Sequence, residues 1–201
     1  MQRALKLCPD KAHLMQYFGV AKMYERTANE DACYLRPDLP TLKGVLDAYG
    51  HEAAAAWVYS LIVNAVECSG ARKEEANLQA LEDLARNIPL TYPYLNPLEV
   101  LLFFRLFKGG KFGKFYGNAG ALTIADALRK FNEQRHAQVA RVRREREAAA
   151  KAREEARNAA AVEDFRKFLQ GLDVSERHKS PEYRAYLKAE AEKRKTPKAA
   201  L

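Results

Sequence analysis

The chain has 201 residues, of which 48% are hydrophobic, so it can bury the core of one ordinary domain but is short for two. Its 34 Lys and Arg residues exceed its 26 Asp and Glu residues, which gives a formal net charge of +8. A membrane-spanning helix is not expected, because the longest apolar stretch, residues 53–66, contains Ser60 and Asn64 and is shorter than the roughly 20 residues that cross a bilayer.

The start of the chain and its cysteines favour a cytoplasmic protein. Residues 1–3 are not followed by the apolar segment of a secretory signal. Cys8, Cys33 and Cys68 are odd in number and have no paired spacing, which is typical of free thiols in a reducing compartment.

The first predicted element is a helix over residues 9–25, although Gly19 in its interior counts against a continuous helix. Residues 26–40 contain two prolines and are expected to form a connector. Either Asp38 or Thr41 can then cap the next helix, because both side chains accept hydrogen bonds from backbone amides.

That next helix is expected to end at Gly50, and residues 51–68 form the most apolar helix of the chain. A further helix is predicted over residues 73–87 and should stop before Pro89, since proline disfavours a helical residue in front of it. Residues 90–94 could form a short extended piece.

Asn96 and Pro97 mark the clearest helix start, with asparagine at the cap and proline at the first helical position. The helix extends to residue 107 and is apolar on nearly every side, which predicts a place in the centre of the core. Residues 109–117 form a glycine-rich loop, and another amphipathic helix begins near Leu122.

The last part of the chain is rich in charge. Residues 135–161 consist mainly of Arg, Glu, Lys and Ala and predict an exposed helix with few contacts to the body. An apolar stripe then returns between Val162 and Leu172, and a final short helix begins at Pro181. Helices account for every convincing element, so the expected fold is all-α.

Charge divides the chain unevenly. Residues 121–201 contain 20 basic and 13 acidic residues, whereas residues 1–120 contain 14 and 13. We therefore predict an N-terminal helix and connector over residues 1–40, a compact helical core over 41–134, and a basic helical extension over 135–201.

The most specific motif is the Gly-Lys-aromatic loop, residues 108–117. Its candidate anion-binding residues are lysines spaced three apart and interleaved aromatics: Lys108, Lys111, Phe112, Lys114 and Tyr116. Lysines neutralise phosphates, aromatic rings stack on bases, and glycines allow close backbone approach. The spacing is not that of a Walker A loop. The alternative is a plain helix–helix turn with solvated lysines and aromatics tucked beneath it.

The basic helix adds three candidate contacts to a nucleic-acid backbone, Arg141, Arg143 and Arg144. In the alternative interpretation it is a solvated spacer, because seven basic and four acidic residues within 141–157 partly cancel.

The apolar stripe after the basic helix is a candidate partner-binding seam formed by Val162, Phe165, Leu169 and Leu172. It could dock in a groove of a partner, pair with a second copy, or fold back on the body.

Metal and catalytic sites are not predicted. No CxxC or HxxxH spacing is present, and no cofactor is expected. Glu99 and Asp126 could approach each other, but Arg105 and Lys130 are expected to be their ion-pair partners, so the protein is predicted not to be an enzyme.

Several motifs between residues 40 and 135 resemble an uncharacterised family from Bacteroidota genomes and their phages and conjugative elements. The similar segments are Tyr94-Leu95-Asn96, Leu102-Phe103-Phe104, Lys111-Phe112-Gly113, Phe115-Tyr116-Gly117 and Ala127-Leu128. The chain departs from the family at Ala119-Gly120, where an acidic residue and proline are expected. The resemblance implies an accessory protein of a mobile element and no established activity.

Together these features predict a non-enzymatic protein that binds nucleic acid, DNA or RNA, or a replication or DNA-processing complex. The alternative is a protein-interaction adaptor in which the basic helix is a spacer. The oligomeric state is not predicted.

Overall fold

A computed structural model describes residues 2–70, 77–113, 120–171 and 181–195. Within these ranges every regular element is helical, which confirms the all-α fold. The α-helices in chain order are α1 Gln2–Leu7, α2 Lys11–Tyr17, α3 Met23–Arg26, α4 Leu42–Cys68, α5 Leu78–Thr91, α6 Pro97–Lys108, α7 Ala121–Gly171 and α8 Pro181–Lys195. None of the helices in the described ranges combines the length and apolarity that a membrane span requires.

The segment expected to be one helix over residues 9–25 is broken. α2 begins at the Asp10 cap, whose carboxylate accepts from two backbone amides, but it ends at Tyr17. A side chain at Gly19 would lie 2.2 Å from the Met15 carbonyl oxygen, so the turn that breaks the helix needs glycine here. The broken end is held in the core, because the Trp57 indole donates a hydrogen bond of 2.9 Å to the Phe18 carbonyl.

α4 consists of two helical halves joined at Gly50. Thr41 caps the first half by accepting from the Gly44 amide at 3.3 Å. Gly50 has φ 81° and ψ 170°, a conformation essentially restricted to glycine, so the predicted end of the first helix is confirmed. The second half carries the buried Trp57, and α4 as a whole packs most extensively against α5.

α5 does not stop before Pro89, so that prediction was wrong. The helix continues to Thr91, and the Tyr92 amide donates to the Ile88 carbonyl at 3.0 Å. Proline removes one hydrogen-bond donor, but this loss falls in the last turn of the helix, and Pro89 itself is buried. The expected extended piece over 90–94 is therefore absent from the described residues.

α6 is the central helix, as predicted. Asn96 and Glu99 form a capping box in which each side chain accepts a hydrogen bond from the backbone amide of the other. Phe103 is fully buried and lies with its ring centroid 4.9 Å from that of Phe104 and 5.7 Å from that of Phe131 on α7.

α7 begins at Ala121 and stays packed on the core well beyond Phe131. The expectation of few contacts over residues 135–161 was wrong for residues 135–142, because Arg135 pairs with Glu99 and Val142 is buried. From Arg143 to Gln170 all side chains are exposed.

The chain divides into two compact units, residues 1–145 and 146–201. This division differs from the predicted boundaries at 40 and 134. The N-terminal segment supplies Leu14, Phe18 and Cys33 to the same hydrophobic core as α6, and α7 contributes to it as far as Val142.

Candidate functional site

The candidate site is a cleft of about 430 Å³ at the end of α6, where the Gly-Lys-aromatic loop begins. Its lining comes from α3, the connector, α6 and the loop: Tyr24, Glu30, Arg105, Leu106, Lys108, Gly109 and Lys111. Three cations and one carboxylate thus face a single cleft, which leaves two positive charges.

The turn after α6 places Lys111 in the lining of the cleft. The Gly110 amide donates to the Phe107 carbonyl at 2.9 Å, and the Lys111 amide donates to the Leu106 carbonyl at 3.1 Å. Gly110 has φ 76°, which allows the chain to turn back at this point. Lys111 consequently lies beside the last turn of α6, where the helix dipole favours cations.

Glu30 lies between two of the cations. Its Oε1 atom is 2.7 Å from Nη2 of Arg105, and its Oε2 atom is 3.7 Å from Nζ of Lys111. The Nε atom of Arg105 is buried and has no hydrogen-bond partner within the described ranges. The carboxylate therefore partly neutralises a guanidinium whose donors are not all used.

Lys108 and Tyr24 form the other side of the cleft. The ammonium group of Lys108 donates to Oδ1 of Asn64 at 2.8 Å and lies 5.1 Å from the centroid of the Tyr24 ring. Tyr24 is 62% exposed although its ring is large and apolar. The ammonium group of Lys108 thus lies over one face of an exposed aromatic ring.

Phe112 occupies a different place from the lysines of its loop. Its half-buried ring lies 6.0 Å from that of Phe103 and 6.2 Å from that of Phe131, so it packs on the core as the helix–helix turn alternative predicts. The candidate residues Lys114 and Tyr116 lie outside the described residues.

The three arginines predicted on α7 differ in their partners. Arg141 forms ion pairs with Asp31 and with Glu145, the latter at 2.9 Å, so its charge is largely engaged. Arg143 and Arg144 are exposed and form no ion pair in the part of the chain that the structure describes. The structure does not bring Arg141 into the cleft lining.

The predicted partner-binding seam is exposed where the structure describes it. Val162 and Phe165 are each 61% exposed, and the rings of Phe165 and Phe168 stack with their centroids 6.5 Å apart. Leu169 is also exposed, whereas Leu172 lies outside the described residues.

The two acidic residues of α6 and α7 do not form a pair. Asp126 is exposed and binds Lys130 at 2.7 Å, as expected. Glu99 does not bind Arg105. Arg105 instead pairs with Glu30 of the connector.

Glu99 instead lies deep in the core. Its Oε1 atom accepts from Nε of Arg135 at 2.8 Å, and its Oε2 atom accepts from the Asn96 amide at 2.9 Å. Burial raises the pKa of the Glu99 carboxyl, and the Arg135 guanidinium opposes that rise. Both oxygens are occupied by these structural contacts.

The described residues contain no group of three His, Cys, Asp or Glu side chains that could hold a metal ion. The three cysteines are free thiols, and burial raises the pKa of Cys33 to about 11. Cys33 is therefore held in the poorly nucleophilic thiol form at neutral pH.

Tyr24, Glu30 and Arg105 belong to the cleft but were not predicted as binding residues. Of these three, only Arg105 could have been singled out from the sequence, because it is a charged residue within an otherwise apolar stretch of α6. Tyr24 and Glu30 are far from the loop in the chain, and only packing of α3 and the connector on α6 brings them there.

Comparison with known proteins identifies one family. A protein family described as "Family of unknown function (DUF6633)" matches residues 77–178, about half of the chain. The match includes the basic helix, which the motif resemblance over residues 40–135 left out. No curated protein and no solved structure matches the chain.

Proposed function

The chain belongs to this family of unknown function, and we propose that it is a non-enzymatic accessory protein that binds nucleic acid or a replication or DNA-processing complex. One observation carries the proposal. Arg105, Lys108 and Lys111 come from two consecutive segments and converge on one open cleft beside an exposed aromatic ring.

Positive charge is also present outside the cleft. Arg143 and Arg144 add exposed charges on α7, and the net charge of the whole chain is +8. Such cations attract a phosphate backbone and release its counterions on binding, so affinity should fall steeply with salt. Binding of this kind has little sequence preference, because phosphate contacts do not distinguish bases.

The test is binding of the full-length protein to labelled DNA and RNA over a range of salt concentrations. Replacing Lys108 and Lys111 with Gln should weaken binding and lower the slope of log affinity against log salt by about 1 to 2, since each phosphate contact contributes about 0.7 to 0.9. Binding that is unchanged in this variant would contradict a site at the cleft.

A matched control removes two lysines elsewhere in the same unit. Lys6 and Lys43 are exposed and lie outside the cleft lining, so their replacement with Gln removes the same total charge. If both variants lose affinity equally, net charge and not the cleft explains the binding.

The proposed biological context is a phage or mobile element, with the protein in the cytoplasm. The motif resemblance to proteins of Bacteroidota and their mobile elements supports it. Neighbouring genes test it: a helicase or primase next to the gene would support a role in replication, whereas capsid or toxin genes would contradict that role.

The second candidate function is a protein-interaction adaptor. The exposed rings of Phe165 and Phe168 favour it, because stacked apolar rings in solvent are typical of a surface that binds another protein. Full-length protein that binds neither DNA nor RNA at low salt would favour the adaptor over the nucleic-acid function.

A further inference from the structure

We infer that the cleft at the end of α6 binds one nucleotide unit of a single-stranded nucleic acid, with its base on Tyr24 and its phosphate on Arg105, Lys108 and Lys111. The inference also assigns Glu30 as the internal anion that pairs with Arg105 and Lys111 when no ligand is bound. It rests on the proposed nucleic-acid function and names the strand type and the residues.

The aromatic side of the cleft carries the base. Tyr24 is 62% exposed and lies on a helix of only four residues, with the Lys108 ammonium group over one face of its ring. Exposed aromatic rings beside cations are the features with which proteins hold single strands, because every base has a face that can stack. A base in a duplex is already stacked on both faces and cannot use the ring in this way.

The cationic side of the cleft carries the phosphate. The two carboxylate oxygens of Glu30 lie 2.7 Å from Nη2 of Arg105 and 3.7 Å from Nζ of Lys111. A phosphate group accepts hydrogen bonds from the same kinds of donor. Glu30 is a surface residue with its side chain 43% exposed, so it can move into solvent when a phosphate replaces it. Binding then exchanges one anion for another at the same cations.

The shape of the cleft suits one such unit of a strand. It is an open cleft of about 430 Å³, so a strand can enter and leave it without a constriction. The remaining nucleotides of the strand would lie outside the cleft and contribute phosphate contacts.

The first experiment compares strand types in the full-length protein. An oligothymidine of about 15 nucleotides, near the upper site size of single-strand binding folds, should bind more tightly than a duplex of equal length. Tyr24→Ala should weaken oligothymidine binding roughly five- to a hundredfold, the effect of losing one stacked base, and leave duplex binding unchanged. Tyr24→Phe should retain the affinity.

Tyr186 provides the matched aromatic control. It is also 62% exposed, but it lies on α8. Tyr186→Ala should leave oligothymidine binding within twofold of wild type. Equal losses in the Tyr24 and Tyr186 variants, or an equal loss of duplex binding on Tyr24→Ala, would overturn the assignment of Tyr24.

The second experiment removes the internal anion. Glu30→Gln should tighten oligothymidine binding on the order of fivefold, because one charge near the phosphate is lost. Glu52→Gln is the control, since Glu52 also pairs with an arginine, Arg86, but lies outside the cleft. Weaker binding by Glu30→Gln, or equal tightening in both variants, would contradict competition at the cleft.

These outcomes separate the inference from the proposed function. If single strands and duplex bind equally and Tyr24→Ala changes neither, the protein binds nucleic acid but the inference is wrong. If neither probe binds at low salt, the proposed function itself is wrong and the inference falls with it.

Discussion

The ion pair between Glu99 and Arg135 is the most constrained contact at the scale of single residues. Glu99 is 1% exposed, and the side chain of Arg135 is 16% exposed. Removing one partner of a buried pair leaves the other charge without compensation in the core. Because Glu99 is the more deeply buried partner, loss of Arg135 should be the more damaging change.

We predict that Arg135→Met lowers the free energy of unfolding by about 3 kcal/mol at neutral pH. The loss should shrink as pH falls. Burial already raises the pKa of Glu99, and removing Arg135 raises it further. As pH falls, the folded variant therefore binds a proton at Glu99 before the unfolded chain does, because Glu99 has its ordinary pKa in the unfolded chain. Protonation removes the buried charge. Urea unfolding at neutral and mildly acidic pH measures both effects, and a pH-independent loss would contradict this account.

Phe103 has several aromatic neighbours in the core, among them Phe104, Phe107 and Phe131. Phe103→Ala should lower the free energy of unfolding by roughly 3 to 5 kcal/mol through lost burial and the cavity that remains. Phe165→Ala is the control, because that ring is exposed. An unchanged melting temperature for Phe103→Ala would show that α6 is not the centre of the core.

At the scale of elements, the break in α4 depends on one residue. Gly50→Ala should cost about 1 to 3 kcal/mol, because its φ of 81° and ψ of 170° are strained for any residue with a Cβ atom. No atom lies within 4 Å of the Cβ position, so the cost comes from the backbone and not from a clash. Thermal unfolding measures it, and a variant as stable as wild type would indicate that the two halves of α4 can straighten.

Local signals predicted the elements best where one residue determines the local structure. Asn96 with Pro97 marked the start of α6, and Gly50 marked the break in α4. The prediction at Pro89 was wrong because the effect of a proline depends on how much helix follows it. The break near Gly19 depends on the hydrogen bond between Trp57 and the Phe18 carbonyl. That contact is tertiary.

The cleft could be predicted only in part for the same reason. The spacing of lysines in the loop pointed to Lys108 and Lys111, which the structure places in the cleft. Nothing in the sequence joins them to Tyr24 and Glu30, which lie some 80 residues earlier, because the packing of α3 and the connector on α6 creates that proximity. Phe112 shared the pattern, yet its ring packs on the core.

At the scale of the whole molecule, the compact unit that ends at residue 145 should be separable by protease. Cuts are expected first within residues 143–170, where all side chains are exposed. A chain ending at residue 145 should unfold as cooperatively as the full-length protein. A chain ending at 134 should lose roughly 3 kcal/mol or more, because Glu99 is then left without Arg135.

Mass spectrometry of the fragments and urea unfolding of the two truncated chains check this prediction. Equal stability of the two truncated chains would contradict the contribution of residues 135–145 to the core. Protection of residues 143–170 in the isolated protein would contradict their exposure.

The burial of Val142 on α7 has a consequence for how the gene can change in length. Each residue turns an α-helix by about 100°, so one codon inserted between Arg135 and Val142 would rotate Val142 away from the core. Among the described residues of α7 beyond Glu145, no side chain is buried, so a rotation of the helix there would remove nothing from the core. Insertions and deletions should therefore be rare among family members between residues 121 and 142 and frequent in the segment that follows.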